Sequence, residues 1–100
     1  MREDWDYSLI TVELPKALSS YADDNSSLVL DESCDTVGEA LAALGRKSRG
    51  ALDRIMDERG NLRPHVNLFV NGENIRFLDG LKTPAGDGAT ILVLAAVSGG

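Results

Sequence analysis

Cys34 and His65 are the only cysteine and histidine in the chain. Together they supply at most two of the usual four ligands of a structural zinc or iron–sulfur centre, so no metal site is expected. A solitary cysteine also excludes a disulfide framework within the chain. His65 follows Pro64 and precedes a strand-like run. With no second histidine and no Ser or Cys in a triad-like setting, it reads as a residue at a hairpin edge rather than a general base. Cys34 invites the role of sulfur relay, but it lies between a short apolar run and a helix cap and reads as a structural or incidental thiol. Gly86-Asp87-Gly88 is too short for a phosphate loop and no helix follows it; turn chemistry accounts for it. No catalytic residue is expected.

The remaining candidate is the main-chain terminus. Val97-Ser98-Gly99-Gly100 follows directly on the most apolar run of the chain, with no polar residue between that run and Ser98. Extended, residues 97–100 reach roughly 13–14 Å, enough to carry a carboxylate into a partner's cleft. The two glycines have no side chains, so the backbone can pass a narrow channel and adopt angles closed to other residues. The carboxylate of Gly100 is thus the candidate functional group, with Val97, Ser98 and Gly99 as the segment threaded into partners.

The elements that must position this tail follow from periodicity. Ile10, Val12 and Leu14 share one face of a strand that ends at Pro15, the turn-rich segment Ser19 to Ser27 follows, and Leu28-Val29-Leu30 returns as the second half of a loose hairpin. Thr36 with Glu39 forms a capping box, and Val37, Ala40, Leu41 and Leu44 give the helical spacing i, i+3, i+4, i+7. Gly45 is expected to cap this main helix, and Arg46, Lys47 and Arg49 read as helix-end and loop charges. Leu52, Ile55 and Met56 mark a shorter helical stretch closed by Gly60 and Asn61. Val66, Leu68 and Val70 alternate with Asn67 and Phe69 before the hairpin pair Asn71-Gly72, with Ile75 and Phe77 beginning the return strand. Thr90 to Val97 runs almost wholly apolar, which suits a central strand covered on both faces and paired in parallel with a neighbour.

This order predicts an α+β domain, a mixed sheet of four to five strands with one main helix on one face. If Ile91, Val93 and Ala95 face the helix, then Leu92 and Leu94 face away, joined by Phe69. Such an apolar patch is either a partner-docking surface or is covered by a loop or the N-terminal segment. The chain has 100 residues, enough for one domain with one core. Residues 1–7 read as a flexible acidic arm, although Trp5 could pack on the domain.

Ten basic against sixteen acidic residues give a net charge of −6, which opposes nucleic acid and anionic lipid as partners and favours a basic protein surface. No stretch has the length of a signal peptide's apolar region or of a membrane span, so a cytoplasmic location is expected.

A sheet-and-helix domain of this size ending in Gly-Gly resembles the ThiS/MoaD family of ubiquitin-like sulfur carriers, which have the β-grasp fold. The resemblance covers most of the chain from Leu9 onward. It is nearest to the carriers that feed cysteine and related biosynthesis, whose second hairpin reads much like Val66 to Phe77 and whose end is similar to Ala96-Val97-Ser98-Gly99-Gly100. The cap at Thr36 and the Asp87-Gly88 turn also fit the pattern.

The resemblance implies that an E1-like, MoeB/ThiF-like enzyme adenylates the Gly100 carboxylate with ATP, and that the product becomes a thiocarboxylate. It also implies a downstream synthase that accepts the sulfur and, in some relatives, a metalloprotease that trims the tail. No cofactor would be bound by the chain itself. Three other readings stay open at this point: the small subunit of molybdopterin synthase, a ubiquitin-like modifier joined through Gly100 to lysines of target proteins, and a plain interaction domain.

Overall fold

The computed structural model describes residues 9–86 and 88–95. Five strands form one sheet: β1 (Thr11–Glu13), β2 (Ser27–Val29), β3 (Val66–Val70), β4 (Glu73–Asn74) and β5 (Thr90–Ala95), in the spatial order β2-β1-β5-β3-β4. β5 is therefore the central strand. It pairs in parallel with β1, with Val12 opposite Ile91, and antiparallel with β3, with Leu68 opposite Val93. Both outer pairings are antiparallel. A mixed sheet wrapped on one helix is the β-grasp architecture, as the resemblance implies.

The main helix α2 spans Val37–Lys47, after the short α1 (Lys16–Ser19). Its start is specified locally: Thr36 Oγ1 accepts from the Glu39 N–H at 3.1 Å, and Glu39 Oε1 accepts in return from the Asp35 N–H at 2.9 Å. The first bond satisfies a donor that a helix start leaves unpaired, and the second ties the residue before the cap back onto the first turn. Val37, Ala40, Leu41, Ala43 and Leu44 are buried with Ile10, Val12, Leu68, Ile91 and Val93 in one core.

Four local expectations are corrected. Gly45 does not cap α2, which runs on to Lys47 and ends where the Ser48 N–H bonds Leu44 O. Gly45 serves packing instead, because a Cβ there would stand 2.4 Å from Leu52 Cδ2 of the following helix α3 (Arg49–Ile55). Ser48 caps that helix too, accepting from the Ala51 N–H and donating to Tyr21 O. The turn-rich segment Ser19 to Ser27 is helical at its start: Ser19 closes α1 and a 3-10 turn follows at Ser20–Ala22. Its weak helix propensity is overridden by the burial of Leu18 and Ala22.

The stretch around Leu52 ends at Ile55, before Gly60 and Asn61, because Met56 is extended and Asp57 Oδ1 accepts the Arg59 and Asn61 N–H groups. Finally, the return strand after Asn71-Gly72 stops at Asn74. Asn71 and Gly72 have φ of 49° and 92°, the left-handed geometry of a tight hairpin turn. Asn74 Oδ1 then accepts from the Arg76 N–H at 2.9 Å, bending the chain into a 3-10 turn at Ile75–Phe77. A strand would put Ile75 and Phe77 on the same face, yet Ile75 is fully buried and Phe77 is 85% exposed.

The basic residues Arg46 and Lys47 lie in the last turn of α2 and Arg49 starts α3, and each pairs within the chain: Arg46 with Glu32, Lys47 with Asp31 and Arg49 with Asp53. Among the described residues, no helix is long and apolar enough to cross a membrane.

Candidate functional site

Alternation along β5 divides its side chains between two environments. Ile91 and Val93 are buried against the helical layer, while Leu92 is half-buried and Leu94 is 44% exposed on the opposite face. On β3 the same alternation buries Val66, Leu68 and Val70 and leaves Asn67 and Phe69 half-buried on the open face. Phe69 lies directly opposite Leu92 in the ladder, and Asn67 opposite Leu94. The structure thus brings together Phe69, Leu92 and Leu94, the three residues expected to form a docking patch. Among the described residues they line an open concavity of about 310 Å³ with Glu13, Asn71, Gly72 and Thr90.

The floor of this concavity is rigid for identifiable reasons. β5 has ladder partners on both sides, and the hairpin turn is tied to the start of β5 by the Asn71 N–H on Thr90 O and by Thr90 N–H on Asn71 Oδ1, at 3.0 and 3.1 Å. The two faces of β5 differ: Ile91 and Val93 complete the core, while Leu92 and Leu94 form part of an open apolar surface. Cover on both faces, expected from the unbroken apolar run, is not found among the described residues.

Gly100, Gly99, Ser98 and Val97 lie outside the described residues, as do the acidic arm at residues 1–7 and Asp87. What is described is their approach, since β5 ends at Ala95, opposite Val66 at the start of β3.

Beside this end of the sheet stands a polar cluster that sequence reasoning missed. Arg76 Nε donates to Asn67 Oδ1 at 3.1 Å and its Nη2 to Val66 O at 2.9 Å, while Asn74 Nδ2 reaches the same Asn67 oxygen at 3.4 Å. With β4 only two residues long, the Arg76 side chain runs along the part of the β3 edge that a longer strand would have paired. The extended return strand expected from sequence hides this arrangement. The asparagine two residues before Arg76, able to close a turn onto its N–H, was the available signal.

The other chemistry-bearing residues stand apart from the patch. The half-buried Cys34 thiol approaches Glu32 O at 3.6 Å. Burial pushes its pKa up, and the Glu32 and Glu39 carboxylates push it further, so the reactive thiolate is disfavoured. His65 is exposed just before β3. A larger concavity of about 660 Å³ lies between α2, α3 and the 56–63 loop. Arg49 pairs there with Asp53, and Arg63 Nε donates to the Asp53 main-chain carbonyl; the concavity belongs to the helical side rather than to the patch.

Comparison with known proteins agrees with this geometry. The ThiS family model matches residues 12–100. The sulfur carrier protein CysO of Mycobacterium tuberculosis is 36% identical over 93 residues, covering 91% of this chain and 98% of that protein. Among solved structures, the Amycolatopsis orientalis BexX/CysO complex contains a chain that superposes with a TM-score of 0.80 at 31% identity, covering 91% of this chain and 99% of that one. The small archaeal modifier protein SAMP1 of Haloferax volcanii superposes with a TM-score of 0.78 at 28% identity, covering 92% and 99%. These relatives are carriers and modifiers by name, not catalysts. With the family model spanning nearly all of a β-grasp fold, the chain belongs to the ThiS family.

Proposed function

We propose that this chain is a sulfur carrier whose Gly100 carboxylate is the cargo site. A carboxylate is anionic at pH 7 and a poor electrophile, so it must be activated before sulfur can be attached. In the proposed sequence a carboxylate oxygen of Gly100 attacks the α-phosphorus of ATP on an E1-like enzyme, and pyrophosphate leaves. Hydrosulfide sulfur then attacks the carbonyl carbon of the acyl-adenylate, AMP leaves, and the thiocarboxylate carries the sulfur to an acceptor on a downstream synthase. The enzymes supply the nucleotide site and the acid–base groups; this chain supplies presentation of the carboxylate.

The observation that most supports this reading is the position of β5. A central strand, held on both sides, runs beside an open apolar patch and leads directly into the segment ending in Gly99-Gly100. The CysO relatives and the complex of CysO with BexX support it as well.

Incubation with an activating enzyme, ATP and sulfide should raise the intact mass by the replacement of one oxygen by sulfur. Charged residues in place of Leu92 and Leu94 should then slow activation by about tenfold or more, since apolar anchors of this kind carry much of an interface's energy. An unchanged rate would remove the patch from the proposal. The likeness to SAMP1 favours modifier activity as a second reading, and it makes a different prediction: higher-mass conjugates to lysines of target proteins.

A further inference from the structure

We infer that Arg76 is the polar anchor of this docking face, and that the protein partner which takes the tail seats an aspartate or glutamate carboxylate upon it. The inference rests on the carrier reading for the existence of that partner, but its own support is geometric.

The guanidinium is fixed before any partner arrives. Nε holds Asn67 Oδ1 and one Nη2 hydrogen holds Val66 O, while the Arg76 main-chain N–H is held by Asn74 Oδ1. An arginine presents five N–H donors in a planar fork, so most of the fork is left for another acceptor. Among the described residues no carboxylate pairs with it; the acidic partners found belong to Arg46, Lys47 and Arg49. Long side chains ordinarily lose rotamer entropy when they form an ion pair, and here that loss is already incurred within the fold.

Position gives the fixed cation its meaning. Its two acceptors belong to Val66 and Asn67, and these residues lie opposite Ala95 and Leu94. Arg76 therefore lies on the outer edge of β3, with that strand between it and the last described residues of β5, roughly 10 Å away across two ladder spacings. An apolar patch flanked by a fork-shaped cation fits a protein surface that offers apolar side chains beside a carboxylate, which an arginine can bind through two parallel hydrogen bonds. A phosphate-bearing polymer is disfavoured by the net charge of −6. Capping the open β3 edge explains only part of the arrangement, because one amide donor would suffice for Val66 O.

The test is steady-state activation of the full chain by an activating enzyme, comparing wild type with Arg76→Gln and Arg76→Glu. Glutamine retains an amide donor for the strand edge and removes the charge. It should raise the KM for the carrier roughly tenfold, with kcat and the thermal unfolding midpoint unchanged, and glutamate should raise KM further by placing like charges together. Both variants activated at the wild-type KM, or a lower midpoint with KM unchanged, would overturn the contact and leave Arg76 as an edge cap. The two ideas fail separately: a wild-type chain that gains no sulfur removes the carrier reading and the contact with it, whereas normal loading of all three chains removes the contact alone.

Discussion

Removing Gly99 and Gly100 should abolish sulfur loading and leave the unfolding transition where it is. The shortened chain still ends in a carboxylate, now on Ser98, so the reacting group is present and only its reach has changed. Two residues correspond to about 7 Å of extended chain. Displacements of the order of 1 Å already cost about a hundredfold when a reacting group must be held against a fixed site, so the truncated chain should load at least that much more slowly. Appending one alanine after Gly100 moves the carboxylate the other way and should have a comparable effect. Folding is not expected to follow, because the buried core of the described residues is complete without the tail, from Ile10 just before β1 to Val93 in β5. Intact mass after activation, with a denaturant titration on the same samples, checks both halves. Loading of the truncated chain at the wild-type rate would move the cargo site away from Gly100 and require a different chemistry.

The second large effect concerns stability, and it contrasts two residues of one strand. Ile91→Ala should destabilise the fold by about 3 kcal/mol, while Leu94→Ala should cost about 0.5 kcal/mol or less. Ile91 is fully buried and sits between Val12 and Val70 across both ladders, so truncation leaves a cavity that its paired neighbours cannot collapse to fill. Leu94 is 44% exposed on the open face and leaves no cavity behind. For a domain of about 100 residues the first change corresponds to a fall of roughly 12–20 °C in the melting midpoint. Calorimetry of the two variants measures the difference directly. Equal losses would mean that the open face is covered, and that the patch is not available to a partner.

The pair also shows what a linear pattern can and cannot say. Ile91 to Ala95 is apolar throughout, so no alternation marks which residues face the core. The assignment of Leu92 and Leu94 to the outer face came from parity against Ile91 and Val93, and it holds because the side-chain period of a strand is two whatever the residue types. The unbroken run also suggested cover on both faces. It could equally arise from a surface meant for a partner, since burial within the chain and burial in a complex select the same apolar residues.

Features with local causes were legible for local reasons. The start of α2 is specified by Thr36 and Glu39 acting on neighbouring N–H groups, and the hairpin by Asn71 and Gly72, whose positive φ few other residues tolerate. The tail, too, was singled out by residue type and its junction with an apolar run.

Where the cause is non-local, residue types mislead. Gly45 looks like a helix stop, because glycine often ends helices, yet here it makes room for Leu52 at a contact that exists only once α3 has folded back. Ser19 to Ser27 looks like turn throughout, yet its start is helical up to Ala22 because Leu18 and Ala22 reach the core. Arg76 looks like one more outward charge on a return strand. It became a candidate anchor only when the strand stopped at Asn74 and let its side chain lie along the outer edge of β3, on Asn67 and Val66.

By itself, then, the sequence determined the main helix and its start, the second hairpin turn and the two faces of the central strand, which follow from short-range periodicity and from caps and turns acting within a few residues, while the family rested on the resemblance carried by Val66 to Phe77 and the Gly-Gly end. Only the tertiary structure decided which strands of the sheet meet, where β4 ends and which polar groups gather on the outer edge of β3. Those outcomes depend on pairing between segments far apart in the chain, and a pairing energy has no value until both partners have positions.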